Sequence, residues 1–585
     1  MNSTPHKVVD PQSKYACLAD ALDAAASGQT GYHFYGARGE LDHELSYKTL
    51  RNDAVTLARK LGSLGLARGT RMAIVADTHP LFHRYFFACQ YAGLIPVPVP
   101  AALQLGGGEA YVRQLRLLLQ SCTASLAVAP PAFVDFLHEA GAGLNLVMCG
   151  GTELFEALPE SVANLERLST GEPAYLQYTS GSTRFPRGVE MTQEAVMNNL
   201  REICDIGVQV TEGDRLVSWL PFYHDMGLVA FVLGALYSQL SVDYLSPRTF
   251  AMRPRLWLKI ISDNKGTVSS APPTGYALCA TRLREADQQR YDLSSWRVAC
   301  VGAERIHPEQ LRRFAKLLEP VGFDPKAFVA CYGMAECGLG ISFAPLGEGV
   351  FVDRVNKNVM IETGRAEPAA EDYLELVDCG APLPSYQTKV CDETGTELPE
   401  RQCGRICVRG PNVMRGYFGD PEATREVLTA DGWLDTGDIG YRIGDHIVIT
   451  ARKKDVIIVN GRNIWPQDME HLAETTPGVR MGDTSAFSVT RPNGEELAVL
   501  VVESRKPRPE LAGKLAGLMR AHFGVTPYID TVPPRTLPRT SSGKLSRSRA
   551  CADFVARMTW DAEGQPIPLE EAHAEERVGY QEANA

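Results

Sequence analysis

The chain has 585 residues, 44% of them hydrophobic and 22% charged, with a formal net charge of −11. That length exceeds one hydrophobic core, so two or more domains are expected, and the acidic balance argues against nucleic acid as the main partner. The fourteen cysteines form no C-x-x-C pair and no zinc-like grouping with histidine, and Met1 to Tyr15 has no apolar signal core; both features predict a cytoplasmic protein.

In chain order, Leu50, Ala54, Leu57, Leu61 and Leu64 mark one helical face, and Met72 to Ala76 predicts a buried strand. Further strand-like runs are Ser125 to Ala129, Leu144 to Cys149 and Ala174 to Tyr178. The last leads into Thr179-Ser-Gly-Ser-Thr-Arg-Phe-Pro-Arg-Gly188, read as a loop before a helix starting near Thr192, with Val196, Leu200 and Ile203 on one stripe. Strands are predicted again at Leu216 to Leu220, Thr267 to Ser270, Arg297 to Val301 and Phe328 to Tyr332. Between them, Met226 to Leu245 is apolar enough to raise a membrane span, but Gln239 and Asp243 interrupt it, and it is read as a buried core helix. Strands separated by helices imply an α/β fold with parallel sheets covered on both faces.

After about residue 380 the pattern changes to short, turn-bounded strands at Tyr386 to Val390, Gly404 to Val408 and His446 to Thr450, predicting a small β-rich subdomain over 380–450. Beyond Ala451 a compact α+β segment is expected to about Trp560. The acidic stretch 561–585 is expected to be disordered or loosely docked.

The loop 179–188 has the chemistry of a polyphosphate cradle. Backbone N–H groups and hydroxyls donate to phosphate oxygens, and arginines offset their charge. Alone, it reads equally well as a Ser/Thr/Gly-rich surface turn. Five further segments follow it in order: Leu220-Pro-Phe-Tyr-His-Asp-Met-Gly-Leu228, Val301-Gly-Ala-Glu304, Tyr332-Gly-Met-Ala-Glu336, Trp433-Leu-Asp-Thr-Gly-Asp438 continuing to Arg452-Lys-Lys-Asp455, and Pro538-Arg-Thr-Ser-Ser-Gly-Lys544. A lone His224 is more often a satisfied core histidine, and a lone Lys544 a solvated charge in a basic stretch.

Together the six segments resemble the adenylate-forming enzymes: acyl- and aryl-CoA ligases, luciferases and peptide-synthetase adenylation domains. The resemblance implies a large N-terminal domain, 1–450, of parallel-rich, helix-covered sheets with the β-rich subdomain, followed by a smaller mobile α+β C-terminal domain, 451–585. It implies ATP and Mg²⁺. Nucleotide contacts would come from Thr179, Ser180, Gly181, Ser182, Thr183, Arg187 and Gly188, from Gly302, Ala303 and Glu304 beside adenine, and from Tyr332, Gly333, Met334 and Ala335. Asp438 would hold the ribose and Arg452 would be a further contact. Glu336 would hold the metal, and Lys544 would act in catalysis with Glu336 and His224. The acyl site would be formed by His224, Asp225, Met226, Gly227 and Phe231, and the hinge by Lys454 and Asp455.

Between Glu336 and Gly380 the chain has 43 residues, 337 to 379, more than CoA ligases carry there. The extra segment, about 345–372, resembles the insertion of the fatty acyl-AMP ligases. Tyr223-His-Asp-Met-Gly227, Val377-Asp-Cys-Gly380 and Asn460-Gly-Arg-Asn-Ile-Trp-Pro-Gln-Asp468 fit the same branch. That branch passes a fatty acyl group to the phosphopantetheine thiol of an acyl carrier protein. No Asp-Ser dipeptide is present, so the carrier is expected to be a separate acyl carrier protein or the carrier domain of a polyketide or peptide synthase. Three positions depart from the pattern. Arg184 replaces a glycine, Arg187 replaces a lysine, and Arg305 directly follows Glu304. The competing readings are a fatty acyl-CoA synthetase and a catalytically silent module of the same fold.

Overall fold

Apolar β-branched runs alternating with amphipathic helices generate two parallel sheets, as the periodicity predicts. The computed structural model describes residues 13–101, 108–179, 186–284, 290–459, 462–505, 509–540, 545–561 and 564–569. The larger sheet has nine strands in the order Ala381–Pro382, Gly340–Phe343, Phe328–Gly333, Val298–Val301, Val268–Ala271, Arg215–Ser218, Ser241–Leu245, Gly31–Tyr35 and Leu41–Ser46. From Phe328–Gly333 through Gly31–Tyr35 all neighbours run parallel. Val268–Ala271 and Val298–Val301 are buried throughout, as strands covered on both faces must be. A second parallel sheet has the order Ile95–Val99, Arg71–Val75, Leu126–Val128 and Met148–Gly150. Its last strand begins late in the predicted run from Leu144.

Two sequence readings are corrected here. The loop after Tyr178 does not lead straight into a helix: Gly188–Thr192 is a strand antiparallel to Pro173–Tyr178, and the helix Gln193–Glu202 starts after Thr192 caps it. The two strands are joined at the edge of the described residues by the Thr179 N–H donating to the Arg187 carbonyl over 3.0 Å. The stretch 226–245 is not one helix. It is π-wound over Met226–Leu233 and α-helical over Gly234–Tyr237, and it ends where Gln239 takes φ 56°. Ser241–Leu245 then enters the large sheet, its buried Asp243 paired with Arg215 at 2.7 Å. A buried carboxylate with its own arginine is tolerated in the sheet.

The β-rich region is an antiparallel sheet of Gln387–Cys391, Gly404–Arg409, Leu434–Ile443 and His446–Arg452. The predicted insertion folds as a hairpin, Val352–Asn356 with Tyr373–Val377, carrying the helix Lys357–Thr363 between its strands. Its Val355, Met360 and Ile361 share one apolar cluster with Trp465, Leu500 and Met519 of the C-terminal segment. That segment contains a sheet of Thr484–Thr490, Glu496–Glu503 and Tyr528–Val532 with the helices Pro466–Glu474, Pro509–Phe523 and Arg547–Arg557. The acidic tail begins in order: Pro566–Pro568 pairs with Met558–Trp560, while 570–585 lie outside the described residues. Among the described residues no helix is long and apolar enough to cross a membrane.

Candidate active site

The carboxyl ends of parallel strands collect what the sequence distributes. Phe328–Gly333 ends with Tyr332, whose hydroxyl donates to Asp438 Oδ2 over 2.7 Å. Asp438 lies on Leu434–Ile443, directly across the antiparallel register from Arg452, and its Oδ1 is 3.2 Å from Arg452 Nε. Burial pushes the Asp438 carboxyl up, and Arg452 and Tyr332 pull it back. The next residue after Tyr332 has to be glycine, because a Cβ at Gly333 would lie 1.7 Å from the Leu339 carbonyl oxygen.

Glu336 follows on the short turn Ala335–Cys337 and is buried. The Tyr417 hydroxyl donates to its Oε1 over 2.8 Å. Burial raises the Glu336 pKa, the Tyr417 hydrogen bond and Arg452 lower it, and Asp225 raises it. Arg187 reaches the same corner from the hairpin, its guanidinium 5.1 Å from the Tyr417 ring centre and 3.6 Å from Glu426. Met334 and Ala335 shape this turn, with the Met334 N–H donating to the Leu339 carbonyl.

Gly302–Glu304 leaves the strand Val298–Val301. A Cβ at Gly302 would meet the Cys331 carbonyl at 2.6 Å, and Ala303 is held at φ 66°, a costly conformation for a residue with a side chain. Glu304 Oε2 accepts from the Thr274 hydroxyl over 2.9 Å. His224 Nδ1 lies 2.5 Å from Asp225 Oδ1, which also accepts the Met226 N–H.

Two spaces meet here. A cleft of about 470 Å³ is lined by His224, Ala303, Glu304, Tyr332, Asp438 and Arg452. A narrower apolar tunnel of about 80 Å³ is lined by Asp225, Met226, Phe231 and Gly234, with Ile203 and Phe343. They join at Met226, Ala303, Cys331, Tyr332 and Gly333. Gly227 lines neither; it brings the π-helix to the Pro221 carbonyl, where a Cβ would sit at 2.1 Å.

Ser180, Gly181, Ser182, Thr183, Arg184 and Lys544 lie outside the described residues. Thr540 and Leu545, on either side of the lysine's loop, line the cleft. Lys454 and Asp455 form a short turn after Arg452, and Asp455 holds Arg547 at 3.0 Å, which Glu470 also holds at 2.6 Å. Tyr417, Glu470 and Arg547 escaped sequence reading. Each acts through a partner distant in the chain, and no local spacing marks them.

Residues 22–418 match the family described as AMP-binding enzyme. A relative from Mycobacterium marinum named long-chain-fatty-acid–AMP ligase FadD32 is 31% identical over 83% of this chain and 84% of its own length. A Caulobacter vibrioides relative, provisionally named an acyl-CoA synthetase, is 43% identical over 93% of this chain and 96% of its own length. A solved structure from a study of fatty acyl-adenylate ligases of E. coli and L. pneumophila superposes with a TM-score of 0.88 at 44% identity, covering 92% of this chain and 98% of that one. Matched along most of its length and over the whole of this fold, the chain belongs to the AMP-binding enzymes, as an ATP-dependent ligase of their fatty acyl-AMP ligase branch.

Proposed function

We propose that this ligase joins a medium- or long-chain fatty acid to AMP and then passes the acyl group to the phosphopantetheine thiol of a separate acyl carrier protein. The observation that carries the reading is the junction of an apolar tunnel with a polar cleft at Tyr332, within hydrogen-bonding reach of Asp438 and beside Arg452. An alkyl chain fits the first space and a nucleotide the second. A Moorena producens relative named medium-chain-fatty-acid–[acyl-carrier-protein] ligase JamA, 29% identical over 93% of this chain, supports the acceptor.

In the first step a carboxylate oxygen attacks the α-phosphorus of ATP, the bond to the bridging oxygen breaks, and pyrophosphate leaves. In the second, the thiol sulfur attacks the acyl carbon, its proton is lost, and AMP leaves. Two anions must approach in the first step, so the chain's contribution is chiefly electrostatic. Lys544 would bridge carboxylate and α-phosphate, and Asp438 would orient the ribose. A buried Glu336 whose carboxylate accepts the Tyr417 hydroxyl fits a Mg²⁺ ion held mainly by phosphate and water oxygens. That ion would neutralise charge on the leaving pyrophosphate. The insertion's share in the apolar cluster of the C-terminal segment supports a restrained second step, in which a carrier-borne thiol is accepted over free CoA.

The test is a radiolabelled pyrophosphate exchange with saturated acids, followed by addition of CoA or a phosphopantetheinylated carrier. Exchange with fatty acids and thioester formation on the carrier alone is the expected result. Rapid acyl-CoA formation would establish the synthetase reading, and no exchange with any acid the silent-module reading. Lys544→Ala is expected to lower exchange by about 10²–10³ while ATP still binds; exchange at the wild-type rate would mean the lysine has another role.

A further inference from the structure

The segment that carries Gly302–Glu304 continues into three residues with a different task. Arg305, Ile306 and His307 precede the helix Pro308–Leu318, with His307 extended as its cap, and their side chains divide between two surroundings. Ile306 is buried in the main apolar core. Arg305 and His307 face the helix Pro466–Glu474 and its cap Trp465.

Arg305 Nη1 lies 2.8 Å from Asp468 Oδ1, with only 8% and 12% of the two side chains exposed. The same guanidinium sits 5.8 Å from the Trp465 ring centre. One turn further along, the rings of His307 and His471 stack at 4.4 Å and 18°. Trp465, Asp468 and His471 are three residues apart, the spacing that puts them on one helix face. Asp468 also acts on a cation from the insertion: burial lowers the Lys357 pKa and the Asp468 charge raises it again. The large sheet, the insertion and the C-terminal segment thus converge on one carboxylate, and they do so while Thr540 and Leu545 line the nucleotide cleft.

Resting on the function proposed above, we infer that Arg305 is a positioning residue. It clamps the C-terminal segment in the arrangement in which Thr540 and Leu545 line the cleft, directly behind the residues proposed to flank the adenine. An arginine suits this role: its planar fork pairs a carboxylate and stacks on an indole, and it stays charged when buried. Losing either partner leaves the other charge uncompensated in a largely buried interface, which costs more than the pair itself contributes.

The test pairs steady-state exchange with limited trypsin cleavage at Arg452-Lys453-Lys454, a run already exposed at the surface, whose backbone must loosen from its strand and turn before it is cut. Arg305→Met and Asp468→Asn are expected to lower kcat for pyrophosphate exchange with dodecanoic acid about tenfold or more. The KM for ATP should stay within about twofold, and cleavage at the hinge should accelerate severalfold. Arg305→Lys should recover part of both, and the exchanged pair Arg305→Asp with Asp468→Arg more than either single change. Wild-type exchange and cleavage in both single variants would overturn the clamp. So would a rise in the KM for ATP that accounts for the whole loss, since Arg305 would then serve the nucleotide itself. If the unaltered enzyme catalyses no exchange, the functional reading fails, and the cleavage rates alone decide the clamp. Melting of each variant separates global unfolding from local release: faster cleavage with an unchanged melting temperature supports the clamp, and faster cleavage matched by a fall in melting temperature refutes it.

Discussion

Glu336 is governed by opposing effects that can be separated one residue at a time. Its burial favours the neutral acid, whereas the Tyr417 hydroxyl and Arg452 favour the carboxylate. Tyr417→Phe removes the hydrogen bond and leaves the ring beneath Arg187, so the Glu336 pKa should rise further. If the ionised form is needed, the acid limb of the pH–kcat profile moves to higher pH, and kcat at neutral pH falls about tenfold or more, in line with a hydrogen bond to a charged group. A profile identical to wild type would show that Glu336 does not titrate in the working range. At this scale the sequence was informative about residue types and weak about partnerships. Tyr332, Asp438, Arg452 and Glu336 stood in recognisable phrases. Nothing local linked Tyr417 to Glu336, 81 positions apart, because only the pairing of Gly416–Tyr417 with Gly188–Thr192 brings them together. Arg305, which the motif pattern left without a reason, acquires one from Asp468, 163 positions downstream (468 − 305).

At the scale of elements, the π-wound helix forms one wall of the apolar tunnel. Met226 borders both spaces, whereas Gly234, eight residues along, lines the tunnel alone. A Cβ at Gly234 would touch Cys204 Sγ at 3.6 Å and Val229 O at 3.2 Å, so a larger side chain there must project into the lumen. Gly234→Leu is expected to cut exchange with hexadecanoic acid at least tenfold while octanoic acid stays within about threefold. An equal loss with both acids would indicate distortion of the helix instead of a shortened tunnel. The sequence reading extended this helix through Leu245 because hydrophobicity is continuous across the join. Periodicity cannot tell a buried helix from a buried strand in such a run. The break comes from Gln239 in a left-handed conformation and from the ion pair of Asp243 with Arg215, which suits a strand buried in the sheet.

Across the whole molecule, several histidines are held neutral by burial. His83 has no hydrogen-bond partner on either ring nitrogen among the described residues and is pushed down to about 3; His79, His307, His471 and His522 are also lowered. At the interface His307 and His471 face Arg305, Asp468 and Glu309. A histidine with a depressed native pKa binds its proton more readily in the unfolded chain. Its stabilising contribution is therefore complete above about pH 6.5 and is lost as pH falls below that value toward the native pKa. Urea midpoints should fall between pH 7.5 and 5, and His83→Phe, which keeps an aromatic ring among Tyr32, Phe34 and Phe222, should weaken the fall without lowering the midpoint at pH 7.5. A midpoint constant over that range would contradict this account. The amino-acid order by itself determined the alternation of strands and helices, the parallel-rich sheets and the presence of the insertion, because periodicity, turn residues and motif phrases are local properties. The tertiary structure alone decided that Gly188–Thr192 pairs back on Pro173–Tyr178 and that the insertion shares a core with the C-terminal segment. It also decided that 305 and 307 grip one helix face, since these depend on charges and apolar surfaces finding partners more than a hundred residues away.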